Sequence, residues 1–327
     1  MARLTTLVLP ALVALTPVLA AAQSKGPDYP NRPIRMLIPF APGGATDIIA
    51  RMIEPRMSRA LGQQIVVDNR AGAAGNIAVE LTAQAQPNGY TLLMGNISTN
   101  SINPILFAGK MKANAVKDLT GVIRLVAIPN FILGSPKIPA NTLKEAIEYA
   151  RARPGQLNYG APLGSYAHLD MLALTARAGI KMVHLPTKGA GETLTNLLRG
   201  DSHIQESNVA SNIGPVRAGQ IKAYAVTSEK RLAEMPDIPT MAEAGYPGIG
   251  SLNWNGIFAP ARTRKPVLAK LHAVAAAAMK ELEAEGLLAK RQTPISLTGS
   301  PAEFNAYVLS ELKRWEGIIR DNRFRID

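Results

Sequence analysis

The run Phe40-Ala41-Pro42-Gly43-Gly44-Ala45-Thr46-Asp47 leaves an apolar stretch, Ile34 to Ile38, and leads into residues with helical spacing. Glycines 43 and 44 let backbone N–H groups turn toward a bound group with no Cβ in the way. A helix beginning there adds its unpaired first-turn N–H groups and the positive end of its dipole. The chemistry this suits is the holding of an anion such as a carboxylate. Asp47 also has the residue type that caps its own first turn. Ser165 and His168 have the types of a nucleophile and its base, three residues apart. Gly164-Ser165 opens a helical pattern, however, where Ser is a preferred N-cap, and no G-x-S-x-G elbow surrounds it. There is no G-x-x-x-x-G-K-[ST] loop and no full G-x-G-x-x-G. His168, His184, His203 and His272 lack any local metal-ligand spacing, and a chain without cysteine has no thiol chemistry. These residue types describe holding rather than reacting, so no catalytic set, no cofactor and no metal site are expected.

The elements that must position the turn follow an α/β order. Ile34–Ile38, Gln64–Asp68 and Tyr90–Met94 read as strands buried in a parallel sheet. Ile49, Met52, Ile53, Met57 and Leu61 mark the helix between the first two, with Pro55 expected to kink or split it. The turns at 41–46, 70–76 and 95–101 then lie along the carboxyl ends of the strands, where open parallel sheets bind ligands. Residues 121–135 read as two strands broken at Pro129-Asn130. A second block repeats the order: helix 142–152, strand 158–161, turn 162–166, helix 168–178, strand 181–185, turn 186–191, helix 192–199, strand 203–207, a turn at 208–211 and strand 222–228. One more strand, 254–258, and two helices, about 266–290 and 301–321, close the chain. In the last helix Phe304, Val308, Leu312, Trp315 and Ile319 form a core-facing stripe.

The totals bound the class. The chain has 327 residues, 47% of them hydrophobic, enough for one large or two medium globular domains. Its first residues, with Arg3, an apolar core from Leu4 to Leu19 and Ala20-Ala21-Ala22, fit a secretory signal cut after residue 22. The expectation is an exported, soluble, periplasmic protein with no lipid anchor on cysteine. The formal charge of +12 is scattered rather than clustered, and aromatics are 5%. No basic stripe with interleaved aromatics marks a nucleic-acid partner; a solvated basic surface that attracts anionic solutes is expected instead.

Tyr29-Pro30-x-Arg32-Pro33-Ile34 and Ile38-Pro39-Phe40-x-Pro42-Gly43-Gly44-x-x-Asp47 resemble the solute receptors of tripartite tricarboxylate transporters, the extracytoplasmic Bug (TctC-like) proteins. The resemblance continues through Val67-Asp68-Asn69-Arg70-x-Gly72-Ala73-x-Gly75-Asn76-Ile77, Pro87-Asn88-Gly89-Tyr90-Thr91-Leu92-Leu93 and Gly164-Ser165-x-x-His168-Leu169, and on to Asp237-Ile238-Pro239-Thr240 and Phe258-Ala259-Pro260. It implies a two-lobe periplasmic-binding-protein type II fold. Each lobe would be a mostly parallel sheet flanked by helices, with residues 28–128 plus 251–327 in lobe 1 and 129–250 in lobe 2. It also implies a monomer that closes on a small organic-acid or amino-acid-like ligand and passes it to membrane permease subunits. Carried over residue by residue, it nominates Phe40, Pro42, Gly43, Gly44, Ala45 and Asp47 from the first turn, and Asn96 and Ser98 after the third strand. The second lobe adds Gly164, Ser165 and His168, then Lys188, Gly189 and Ala190, and Asn208 at the 208–211 turn. Thr187, His203, Glu206 and Asn255 stand where the family commonly has other residues. Thr187, Glu206 and Asn255 are therefore expected to set the specificity of the pocket, with Glu206 and Asn255 suiting a ligand that carries an amino or other cationic group. A sensor for a membrane signalling partner, and an exported enzyme with a dispersed site, are the other uses open to such a sequence.

Overall fold

The computed structural model describes residues 29–321 and residue 324; the expected signal segment lies outside the described residues. β1 (Ile34–Ile38), β2 (Ile65–Asn69) and β3 (Thr91–Asn96) pair in parallel, and β10 (Asn253–Pro260) and β4 (Leu119–Ile128) complete a sheet of order β2-β1-β3-β10-β4. Alternate residues of one strand feed opposite faces, the period-2 rule of a pleated strand. Met36 and Ile38 pack against Ile49, Ile53 and Met57 of α1 (Ala45–Leu61) and Leu271 and Met279 of α8 (Lys265–Ala284). Leu37, Leu93 and Phe258 pack on the other side against Val79 of α2 (Asn76–Ala83) and Phe304, Val308 and Trp315 of α9 (Pro301–Asp321).

The second lobe is built the same way. β8 (Ile204–Asn208), β5 (Asn130–Gly134) and β9 (Lys222–Val226) form one sheet, and β6 (Asn158–Ala161) pairs in parallel with β7 (Val183–Pro186). The His203 N–H donates to the Asn158 carbonyl at 2.8 Å, which sets β6 beside the start of β8. α4 (Leu143–Arg151) and α5 (Tyr166–Ala178) cover one face, and α6 (Ala190–Arg199) and α7 (Val209–Arg217) the other.

One strand in each lobe departs from the expected parallel order. β10 is antiparallel to β3 and β4, and β5 is antiparallel to β8 and β9. The reason is the path of the chain. Strands followed by a helix run toward the cleft and turn there. β5 follows β4 across Pro129, and β10 arrives from the other lobe after β9, so each enters its sheet from the cleft and must run away from it.

Other differences from the sequence expectations are local. Pro55 neither splits nor ends α1, because it and Arg51, whose carbonyl it leaves unpaired, both lie on the exposed face where water can take the bond. Residues 98–102 are not a loop but a wide π-helical turn, continued as α3 (Asn103–Leu106). The turn at 208–211 is the start of α7, whose Pro215 hid its helical pattern. α8 stops at Ala284, two residues short of Gly286, which adopts φ +68°.

Candidate functional site

Four helices start at one cavity of about 60 Å³ between the lobes. Its wall includes Gly44 to Asp47 at the start of α1, Ser165 to Ala167 at the start of α5, Gly189 and Ala190 at the start of α6, and Ser207 and Asn208 at the cap of α7. Asn96 and Ser98, at the mouth of the π-helical turn, lie between them. The convergence follows from the sheet. β1, β6, β7 and β8 each hand the chain to a helix at the cleft, so the N-termini of α1, α5, α6 and α7 gather at the same edge.

Each of these starts is shaped by its sequence. In α1 the first helical bond runs from Ile48 N–H to the Gly44 carbonyl at 2.9 Å, and Gly44 supplies no side-chain cap. The preceding turn is held instead by Asp47. Its carboxylate accepts the Gly43 N–H, Arg51 Nε and Asn69 Nδ2, each at 3.0 Å. Gly43 adopts φ +91°, open to glycine without strain. Burial pushes the Asp47 pKa up, but the three hydrogen bonds and the Arg51 charge outweigh it, and the carboxyl is held below its ordinary value. Asp47→Ala strands those donors and should cost about 1–3 kcal/mol of unfolding free energy, read by urea denaturation. Because the folded pKa is depressed, this contribution is present above the unfolded pKa and lost as pH falls through the folded one. The variant should therefore lose less stability than the parent on acidification below about pH 4.

Ser165 caps α5, its Oγ accepting the His168 N–H at 3.3 Å, and His168 Nδ1 in turn accepts the Gly164 N–H at 3.1 Å. The pair braces a turn and forms no nucleophile–base contact. The His168 ring stacks on His184, centroids 3.9 Å apart, and burial with that neighbour pushes its pKa down to about 4. Asn208 caps α7 through the Ser211 N–H at 3.0 Å. Thr46 Oγ1 donates to Asn255 Oδ1 at 2.7 Å, locking the first turn of α1 to β10.

The lobes touch around this cavity. Ser211 Oγ donates to the Gly43 carbonyl at 3.0 Å, and the Tyr166 N–H donates to Ser98 Oγ at 3.1 Å. A Cβ placed on Gly189 would stand 3.4 Å from the Ala41 backbone nitrogen, and one on Gly44 would stand 3.7 Å from Ala190 Cβ. The two glycine-bearing turns thus face one another in a closed arrangement.

Of the residues expected at the site, Phe40, Gly44, Ala45, Asp47, Asn96, Ser98, Ser165, Gly189, Ala190, Glu206 and Asn208 line the cavity. The others lie off its wall. Pro42 and Gly43 are exposed outside it. Gly164 and His168 brace the α5 turn from behind. Thr187 shares a hydroxyl contact of 2.7 Å with Thr193. Lys188 is exposed, and its N–H donates to Glu192. Asn255 is buried behind Thr46. His203 accepts the Asn158 N–H through Nδ1 and ties β6 to the start of β8. The structure adds Ala41, Thr46, Pro162, Tyr166, Ala167, Thr193, Ser207 and Asn253 to the wall. Thr46, Tyr166 and Ala167 are first-turn residues, recoverable once helix starts are placed one or two positions earlier. Asn253 lies two residues from Asn255 on a strand that begins earlier than its apolar run suggests.

Among the described residues, Asp47 and Glu206 are the only charged side chains on the wall, and no Lys or Arg lines it. Positive potential comes instead from the helix ends, each worth roughly 0.3–2 kcal/mol to an anion held there. The wall carries no constellation for covalent chemistry, and among the described residues no group of His, Cys, Asp and Glu could hold a metal ion.

A profile of the tripartite tricarboxylate transporter family receptor matches residues 49–323. The protein BugT of Bordetella pertussis is 32% identical over 303 residues, covering 92% of each chain. Among solved structures, Rpa4515 of R. palustris with adipate superposes at a TM-score of 0.86 with 32% identity, covering 90% of this chain and 98% of that one. MatC from Rhodopseudomonas palustris with bound malate gives 0.84 with 30% identity, covering 89% and 100%.

Proposed function

Because the chain belongs to the tripartite tricarboxylate transporter receptor family, a family of periplasmic solute receptors, we propose that it captures a small carboxylate-bearing solute by lobe closure and delivers it to the membrane subunits of such a transporter. The observation that carries this reading is the meeting of four helix N-termini on one cavity without a lysine or arginine in its wall. Backbone N–H groups fixed in first turns are donors already oriented for a carboxylate, and they need no side-chain ordering on binding. Two relatives of the same fold were solved with dicarboxylates, which supports the same class of guest. The lobes, taken as 29–128 with 251–321 and 129–250, would part at Pro129 and in the segment before β10. The polar contacts that bridge them can exchange for water, as a receptor that must open requires.

Thermal-shift and calorimetric titration with a panel of small mono- and dicarboxylates, neutral sugars and amines tests the binding half. Carboxylates alone, or carboxylates that also carry an amino group, should stabilise the protein. Saturable binding of sugars with indifference to every acid would remove the reading. Deletion of the gene should abolish uptake of the acid that binds most tightly; unchanged uptake would remove the delivery half.

A further inference from the structure

Glu206 is 1% exposed, lines the cavity, and neither of its carboxyl oxygens has a protein hydrogen-bond partner. Asn253 Oδ1, on the same wall, is likewise buried and unpartnered. Against Glu206 stands a second buried acid, Asp170 of α5, whose Oδ1 accepts from Ser251 Oγ at 3.2 Å and whose Oδ2 is also unpartnered. Buried acceptors left open are costly unless a donor arrives. The Ser251 N–H and the Asn130 side chain come near Glu206 and draw its pKa down, but fall short of hydrogen bonds to it and do not outweigh its burial. Tyr166 donates its hydroxyl to Asn130 Oδ1, and Asn130 donates its amide to the Ser251 carbonyl. Arg314 of α9 acts on Asp170 from a distance, and Asp47 across the cavity is engaged by its own turn.

We propose that Glu206, with Asp170 behind it and Asn253 beside it, is the subsite for a cationic nitrogen, so that the solute of this receptor is a zwitterion carrying an ammonium near its carboxylate. The proposal rests on the carboxylate reading above and names the other end of the same ligand. The helix ends take the carboxylate, and the open acceptors take the ammonium N–H donors. Two carboxyls in contact with no cation between them hold one proton in common, as like charges at close range require. Burial and the Asp170 charge push the Glu206 pKa well up, and burial pushes Asp170 up to about 6. An arriving ammonium replaces that shared proton. The ligand enters already protonated, both carboxyls become carboxylates, and one proton leaves to water, so charge balances.

Calorimetry in buffers of different ionisation heat, on the full protein and on Glu206→Gln, with propionate against β-alanine and succinate against L-aspartate, tests this. The amino-bearing acid of each pair should bind roughly tenfold or more tighter, as a charge-assisted bond is worth. Its binding should release protons near pH 6 and strengthen as pH rises until the shared proton is already lost. Glu206→Gln should remove both the preference and the proton release. Equal affinity within each pair, or a preference that survives Glu206→Gln, would overturn the subsite and leave the carboxylate reading standing. Tighter binding of succinate with proton uptake would also overturn it, by making Glu206 a neutral donor to a second carboxylate. Failure of the protein to bind any of the four would remove the carboxylate reading and this inference with it. The proton release by the unmodified protein needs no variant to fold.

Discussion

Gly189→Trp should abolish solute binding, by at least about a hundredfold or roughly 3 kcal/mol, while leaving the protein folded. Gly189 caps α6 with φ 162°, extended backbone that any residue adopts, so the substitution introduces no backbone strain. Its consequence is steric and lies across the cleft. Even a Cβ there would stand 3.4 Å from the Ala41 nitrogen and 3.5 Å from Ala41 Cβ. An indole has no room between the two turns and must hold them apart. The residue belongs to neither lobe's core cluster, so the unfolding midpoint should stay within a few degrees of the parent. Calorimetry and thermal unfolding on one preparation check both halves. Affinity within tenfold of the parent would mean that the solute does not need the turns to meet.

Glu206→Gln should make the ligand-free protein more stable above pH 7, on the order of 1–3 kcal/mol at pH 8. The sign follows from linkage. Glu206 and Asp170 have folded pKa values raised by burial and by one another. The folded state therefore binds more protons than the unfolded one between the unfolded and folded pKa values, and stability falls as pH rises across that window. His168, His184 and His203 act oppositely, since burial lowers their pKa values and favours the neutral rings. Their contribution is complete once the unfolded histidines are neutral, a little above pH 6.5. From the ordinary carboxylate range up to alkaline pH the acid pair pulls the other way, because both of its pKa values are raised in the folded protein. Thermal unfolding of parent and variant above pH 7 should show a falling midpoint for the parent and a flatter one for Glu206→Gln. Parallel profiles would mean that Glu206 is not held out of water in solution. The same open acceptors that cost stability in the empty protein are what would favour a cationic guest.

Much of this arrangement was legible in the residues, and the parts that were not share a cause. The Ile34–Ile38 strand, the glycine turn and the α5 cap at Ser165 announce themselves through local chemistry: an apolar run, positive-φ positions and a hydroxyl at a helix start. Trp315 was equally plain, sitting in a helical stripe and buried at 1% exposure. What local chemistry does not encode is which way a side chain faces once its element is placed. Glu206 and His203 are close neighbours, yet Glu206 lines the cavity while His203 holds two strands together. Asn255 and Asn253 lie two apart on β10, and only Asn253 reaches the wall, because the Thr46 hydroxyl takes Asn255. Asp47 shows a second limit. Its type suits both a turn brace and a cavity residue, and it is both, with both carboxylate oxygens engaged by the turn. The reversed strands β5 and β10 follow from the route of the chain between lobes, which becomes readable only once the sheets are known.

The most direct test of capture by closure at the helix ends is small-angle X-ray scattering during titration with the acid that calorimetry finds tightest. The parent protein should contract as the acid saturates it, and Gly189→Trp should keep the larger dimension throughout. Saturation recorded by calorimetry with no change in the scattering of either protein would contradict the account.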